Sequence, residues 1–265
     1  MSVLNIVLKS FIHYFGKNLT IALGIAISTA VITGGLIVGD SVKYSLTQTV
    51  HYRLGNITHA VSAGDRYFTV DYASRIANDL NVPTTGMLKL EGIGITGGGK
   101  LRLNNLQVLG IDRAFEETAG TDFLYDSLRR NEVIVSENLA NRLNLAPDDY
   151  LLLRIKKASV IPLNTPFVSD EEQTVSVRAR VKAIAGKTDL GRFNIQNSQT
   201  APFNVFFDID WLNDIMDLKD KINLIFIQNT KNYETPEMSG TIRSLWQIED
   251  GNFELRYLEK SNAWE

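Results

Sequence analysis

One stretch of this chain constrains its fold more than any other: the uncharged run from Asn18 to Gly39, NLTIALGIAISTAVITGGLIVG, bounded by Lys17 and Asp40. At about 1.5 Å of helical rise per residue, some 20 such residues span a hydrocarbon core of about 30 Å. All 30 acidic residues lie beyond residue 39. The sequence therefore predicts a transmembrane helix over 18–39 and a water-soluble domain over 40–265 on one side of the membrane. A cleaved signal peptide is the first competing reading, but its apolar stretch is only about 7–15 residues long and follows a short basic start. Here the stretch is longer and 17 residues precede it. A buried soluble helix competes less well, because about 18 consecutive uncharged residues are rare in soluble cores.

Residues 1–17 are patterned too. Leu4, Val7, Leu8, Phe11 and Phe15 fall on one helical face, with Asn5, Lys9, His13 and Lys17 mostly elsewhere. This predicts an amphipathic helix lying in the headgroup plane; the alternative is an extension of the anchor helix. Residues 1–39 carry Lys9 and Lys17 and no acid, which places the N-terminus in the cytoplasm and the bulk domain outside. Lys43 and Arg53 blur the far flank. Within the anchor, Ala22, Ala26, Ala30 and Gly34 form a ladder of small residues that admits a second helix at close range.

The absence of cysteine excludes disulfides and thiolate metal sites, and fits a bacterial extracytoplasmic domain. Beyond residue 39, 25 of the 27 basic residues face all 30 acids, a net charge of −5 that argues against a nucleic-acid partner. The length suffices for one large domain or two small ones.

Along that region the pattern predicts a helix over Asp40–His51, short strands at Thr58–Ser62 and Tyr67–Val70, and a helix at Asp71–Leu80. Met87–Ile111 reads as strands around the glycine turn TGGGK. A compact unit follows: strand Glu132–Ser136, helix Glu137–Leu143 capped by the Ser136 hydroxyl, a Pro147-Asp148 turn, and strand Tyr150–Ile155. The clearest strand is Val175–Ala185, where Val175, Val177, Ala179, Val181, Ala183 and Ala185 alternate with Ser176, Arg178, Arg180 and Lys182. A long polar loop spans Gly186–Pro202. Strand Phe203–Asp208, helix Asp210–Leu218, strand Asn223–Gln228, helix Glu237–Trp246 introduced by Thr235-Pro236, and strand Phe253–Leu258 complete the chain. Strands and helices mix without strict repetition, so the expected class is α+β, with two lobes conceivable at about 40–165 and 166–265.

Little here points to catalysis. The three histidines are His13, His51 and His59, and the last two read as surface residues. Gly92-x-Gly94-x-x-Gly97 matches a dinucleotide fingerprint, and GITGGGK (94–100) most of a phosphate loop, although Leu101 stands where Ser or Thr would hold magnesium. Both motifs need a helix directly after the glycines, and LRLNNLQVLG alternates like a strand, so a flexible hairpin tip accounts for them. Asp148-Asp149, Asp170-Glu171-Glu172 and Asp208/Asp210 fall in turns, loops or helix starts. No catalytic, cofactor or metal residue is expected.

Residues 4–46, LNIVLKSFIHYFGKNLTIALGIAISTAVITGGLIVGDSVKYSL, resemble the start of FtsX-like or MacB-like permeases of ABC transporters. Asn131–Ile155 (NEVIVSENLANRLNLAPDDYLLLRI), VRARVKAIA, NVFFDIDWLNDI and the segment ending LQVLGID resemble the periplasmic core domain of that family. The resemblance implies a bacterial inner-membrane subunit that pairs with a separate ABC ATPase and with a second permease copy. Phe11, Phe15 and Lys17 would lie at the ATPase-side membrane surface, and Ala26, Ala30 and Gly34 on the anchor would transmit motion. The family has at least three further membrane helices after this domain, and these 265 residues contain none, so a front part of a longer permease or a truncated gene product is expected. The competing classes are a single-span anchored module binding an envelope protein or lipid through Lys187–Thr200, and an envelope hydrolase, disfavoured by the scarcity of histidine.

Overall fold

The computed structural model describes residues 3–64, 66–121, 125, 128–157, 174–196, 198, 200–251, 257–258 and 263–264. The chain forms two compact units, Met1–Val50 and His51–Glu265.

The first unit is helical. Helix α1 (Val3–His13) and helix α2 (Phe15–Leu54) are separated only at Tyr14, where helical hydrogen bonds continue from Tyr14 N to Ser10 O and from Asn18 N to Tyr14 O. A window of α2 is long and apolar enough to cross a membrane, with a mean hydropathy of 2.2 and no residue buried. Thr20 and Thr29 donate their hydroxyls to the carbonyls of Gly16 and Ile25, so neither brings an unpaired polar group into the apolar stretch. The separate helix expected at Asp40–His51 is instead continuous with α2. No proline interrupts that stretch, and the helix stops at Gly55, whose positive φ (56°) lets its N–H return to His51 O at 2.8 Å.

The second unit contains, in order, β1 (His59–Ser62), β2 (Phe68–Thr69), α3 (Val70–Leu80), β3 (Thr84–Thr96), a 3₁₀ turn (Gly97–Gly99), β4 (Leu101–Ile111), α4 (Ala114–Ala119), β5 (Glu132–Ser136), α5 (Glu137–Leu143), β6 (Tyr150–Lys156), β7 (Thr174–Ala185), β8 (Phe203–Asp208), α6 (Ile209–Met216), β9 (Lys221–Ile222), β10 (Leu224–Ile227), α7 (Thr235–Ser244), a second 3₁₀ turn (Ile248–Gly251), β11 (Tyr257–Leu258) and β12 (Ala263–Trp264). The mixed α/β class matches the expectation. Strand Phe253–Leu258 is described only at Tyr257–Leu258, and the acids at 170–172 lie outside the described residues.

Six strands close into a ring in the order β3-β4-β8-β5-β7-β6 and back to β3. The long strand β3 makes closure possible by changing partner along one edge. Thr84–Met87 pair with β10, and Gly92–Ile95 pair with β6. Gly92 and Gly94 flank an irregularity in the β3–β4 register, and a Cβ on Gly94 would come within 2.8 Å of the Leu106 side chain. These two glycines thus serve close packing inside a strand, and only Gly97–Gly99 form the flexible tip. Strands from both sides of residue 165 share the ring, so the second unit is not split into two lobes there.

The same economy appears in β7. A register shift between Val133 and Ile134 of its partner β5 inserts one residue, so Val181 faces one hydrophobic cluster while Ala183 and Ala185 face the other. The strict alternation predicted for Val175–Ala185 therefore breaks at Lys182, because one extra residue swaps the two faces. The first cluster joins α3, α5 and α6 to the sheet through Ile76, Leu139, Leu212 and Phe207; the second is aromatic, with Phe115, Tyr125, Phe193, Phe206 and Phe226 in edge-on or tilted contact.

Other boundaries differ for local reasons. Glu234 precedes α7, which puts Pro236 at the second helical position. Ser136 sits at the N-cap of α5, but its hydroxyl accepts from the Asn204 N–H at 3.0 Å and not from α5. The loop Gly186–Pro202 is stitched to the core: Leu190 and Phe193 are 1 % exposed, and the Asn204 amide donates to the carbonyls of Gly191 and Phe193.

Candidate functional site

Two regions hold the candidate residues, one in each unit. In the first, Phe11 on α1 and Phe15 on α2 are one helical turn apart, both more than half exposed, with rings meeting edge-on at 6.5 Å. The Lys17 ammonium lies 5.8 Å from the Tyr14 ring. An aromatic strip beside cations is the composition of a membrane interface. Ala22, Ala26, Ala30 and Gly34 follow a four-residue ridge on α2, and a Cβ built on Gly34 would touch nothing within 4 Å. Ridges of that spacing are the ones along which small residues let helices cross closely. Their spacing on one helix alone brings these residues together.

In the second unit the histidines stay apart from any acid cluster. His51 is exposed on the last turn of α2, and His59 at the sheet edge contacts its neighbour Thr58 at 3.0 Å. Among the described residues no three His, Cys, Asp or Glu side chains converge as metal ligands. The loop Lys187–Thr200, expected to be a contact surface, spends Leu190 and Phe193 on the core and leaves Ile195 exposed. A polar recess of about 260 Å³ opens beside it, lined by Asn138, Asn141, Lys187 and Arg192. Asn138 is tied down there by donating to the carbonyls of Ala201 and Pro202.

A second recess, about 420 Å³, lies on the outer side of the ring, lined by Arg130, Asn131, Glu132, Tyr150, Arg178 and Arg180. Strand alternation puts these side chains there. Tyr150, Leu152, Arg154 and Lys156 point outward along β6, and Ser176, Arg178 and Arg180 along β7, while Leu151, Leu153 and Ile155 are fully buried. Arg180 pairs with Glu132 and, at 2.9 Å, with Asp148; Lys182 approaches Glu132 at 3.8 Å. The hydrogen bond from Arg180 to Glu132, added to their opposite charges, raises the Arg180 pKa further. Arg130 reaches across to Asp214 on α6. There Asp208, Asp210, Asp214 and Asp220 lie close enough that burial, reinforced by the other three carboxylates, raises the Asp210 pKa. The arrangement is a built cationic surface with fixed side chains, and it holds no nucleophile–base pair.

No protein-family model matches the chain, and no curated protein matches it. Solved structures similar to it include domains of ABC-type transporters and permeases. The periplasmic region of MacB from Actinobacillus actinomycetemcomitans is 11 % identical, with a TM-score of 0.43 over 74 % of this chain and 85 % of that one. The extracellular domain of the noncanonic ABC-type transporter YknZ from Gram-positive bacteria is 8 % identical, with a TM-score of 0.43 over 70 % and 94 %. A domain assigned to a permease protein from Porphyromonas gingivalis is 13 % identical, with a TM-score of 0.40 over 70 % and 79 %.

The sequence reading missed the outer face as a site. It placed Arg178, Arg180 and Lys182 on a wet face of β7, but the pairing of that face with Tyr150, Leu152 and Arg154 depends on register, which periodicity within one strand does not give.

Proposed function

We propose that this chain is a membrane-spanning permease subunit of an ABC transporter, or the N-terminal part of one, which couples ATP hydrolysis by a separate ATPase to movement of its extracytoplasmic domain. The observation that carries this reading is the helix Phe15–Leu54, apolar and unburied along its membrane-length stretch, followed along the chain by a mixed α/β unit. The sequence resemblance of residues 4–46 and 131–155 supports the same reading. Under it the N-terminus is cytoplasmic, the chain resides in a bacterial inner membrane, Phe11, Phe15 and Lys17 meet the ATPase, and the ladder from Ala22 to Gly34 meets a second permease copy. The test is co-purification in detergent with a Walker-type ATPase, combined with cross-linking from a single cysteine at Phe15→Cys, for which the cysteine-free chain gives a clean background. Cross-links to the ATPase that change with bound nucleotide support the proposal. An ATPase that neither co-purifies nor cross-links sinks it.

A second reading, a single-span anchored binding module without ATPase coupling, draws support from the exposed cationic face of β6 and β7. It predicts that an unrelated anchor replaces residues 1–39 without loss of function.

A further inference from the structure

The outer face of β6 and β7 joins two features that are rarely exposed together. The first is a pair of arginines with no acidic partner among the described residues, Arg154 and Arg178. The guanidinium carbon of Arg178 lies 4.2 Å from the centroid of the exposed Tyr150 ring, a cation–π contact that holds it on this face. The second is an apolar strip in register with them. Ile95 sits opposite Leu152 and Ile93 opposite Arg154 on one side, and Leu152 sits opposite Arg178 on the other. Leu152 is 36 % exposed and Tyr150 54 %.

We propose that this face docks an extended acidic segment of a partner polypeptide, one in which carboxylates alternate with aliphatic side chains. Four observations choose this occupant. Arg154 pairs with Ser176, so Arg178 is its diagonal neighbour across the strands, at a spacing of about 7–8 Å. Carboxylates two residues apart on an extended peptide recur at about 6.6–6.8 Å and meet both cations. The Arg178 guanidinium, held against the Tyr150 ring, offers a planar fork for two-point hydrogen bonding to a carboxylate. The aliphatic strip calls for side chains that nucleic acid and lipid headgroups do not offer. Finally, Glu91 (on Lys156) and Glu132 (on Arg180) lie among the cations and would repel a uniformly anionic surface such as a vesicle, while a segment with discrete acids avoids them. The proposal is independent of ATPase coupling.

The test uses the full chain in phosphatidylcholine nanodiscs, titrated into a fluorescein-labelled decapeptide of alternating Glu and Val and followed by anisotropy. A Lys–Val decapeptide is the charge control. The parent should bind the acidic peptide and not the basic one, and more weakly as salt rises. Arg154→Ala and Arg178→Ala should each weaken binding about fivefold or more, and Arg178→Lys less, since charge is kept and the flat fork lost. Arg243→Ala, an exposed cation on α7, should leave binding unchanged and controls for nonspecific charge. The exposed positions should leave the thermal midpoint in place. No binding by the parent, equal loss in the Arg243 variant, or unchanged binding in both face variants overturns the proposal. Stronger displacement by phosphatidylglycerol vesicles than by unlabelled acidic peptide also overturns it, in favour of a lipid surface.

Discussion

Arg75 on α3 donates to Asp250 in the 3₁₀ turn Ile248–Gly251, a contact that spans 175 residues of sequence. Asp250 is only 1 % exposed, and it also accepts from the Thr69 hydroxyl at 2.6 Å and the Gln247 amide at 2.7 Å. One carboxylate therefore gathers the start of α3, its middle turn, and the segment after α7. Burial pushes the Asp250 pKa up, but the hydrogen bonds from Thr69, Arg75 and Gln247 outweigh it and hold the pKa below the ordinary value.

A carboxyl whose folded pKa is depressed contributes stability that is present above its unfolded pKa of about 3.9 and is lost as pH falls through the folded pKa. Asp250→Ala should cost about 2 kcal/mol at pH 7, since it strands three donors, and lower the thermal midpoint by about 4–8 °C. In Asp250→Asn the part of the acid destabilisation below about pH 4 that belongs to this group should disappear. Thermal melts of the parent and both variants from pH 3 to 7 check this; a cost independent of pH would contradict the assigned role.

Ser136→Ala separates a helix cap from a cross-strand bond. The Ser136 hydroxyl is fully buried and accepts from the Asn204 N–H. Its removal leaves that amide without its acceptor, at a cost of about 1–3 kcal/mol. Amide hydrogen exchange should accelerate at Asn204 while the first turn of α5 keeps its protection. Acceleration at α5 alone would restore the capping role.

Local patterns in the sequence specify most elements of the second unit, and long-range pairing specifies the rest. Strand Glu132–Ser136, helix Glu137–Leu143 and strand Phe203–Asp208 match their predicted bounds, since each combines a clean apolar pattern with turn residues at its ends. Helix α4 escaped prediction because six residues, Ala114–Ala119, are too few to show a period. The loop 186–202 reads as polar because Leu190 and Phe193 are isolated in it, yet these two side chains fill the aromatic cluster. Ring closure depends on β3 exchanging one neighbour for another along the same edge, and the cationic face depends on the register that follows; neither is encoded within any one strand.

Asp112 reverses the sign seen at Asp250. Burial raises its pKa, against the lowering effect of hydrogen bonds from the Thr85 hydroxyl and the Phe115 amide. A raised folded pKa means the folded protein takes up this proton more readily than the unfolded chain. The group's cost is therefore absent below about pH 3.9 and grows as pH rises through the folded pKa. Asp112→Asn keeps an oxygen for both donors and removes the buried charge. Its stability at pH 7 should equal or exceed the parent's, and the advantage should vanish near pH 3. A clear loss at pH 7 would mean that the charge itself holds Thr85 and the start of α4.

The ladder on α2 makes the last prediction. If Ala26, Ala30 and Gly34 admit a second helix along a four-residue ridge, the contact is set by backbone approach and not by any one side chain. Ala30→Leu or Gly34→Leu should then weaken association of the full chain in detergent or bilayers about fivefold, the change expected for about 1 kcal/mol. Leu36→Ala, the removal of an exposed apolar side chain off that ridge, should leave association intact. Single cysteines at 26, 30 and 34 should cross-link between copies more efficiently than one at 36, against a background free of native cysteine. Equal cross-linking at all four positions would mean that α2 faces lipid on every side, and that the small residues reflect only the composition common to membrane helices.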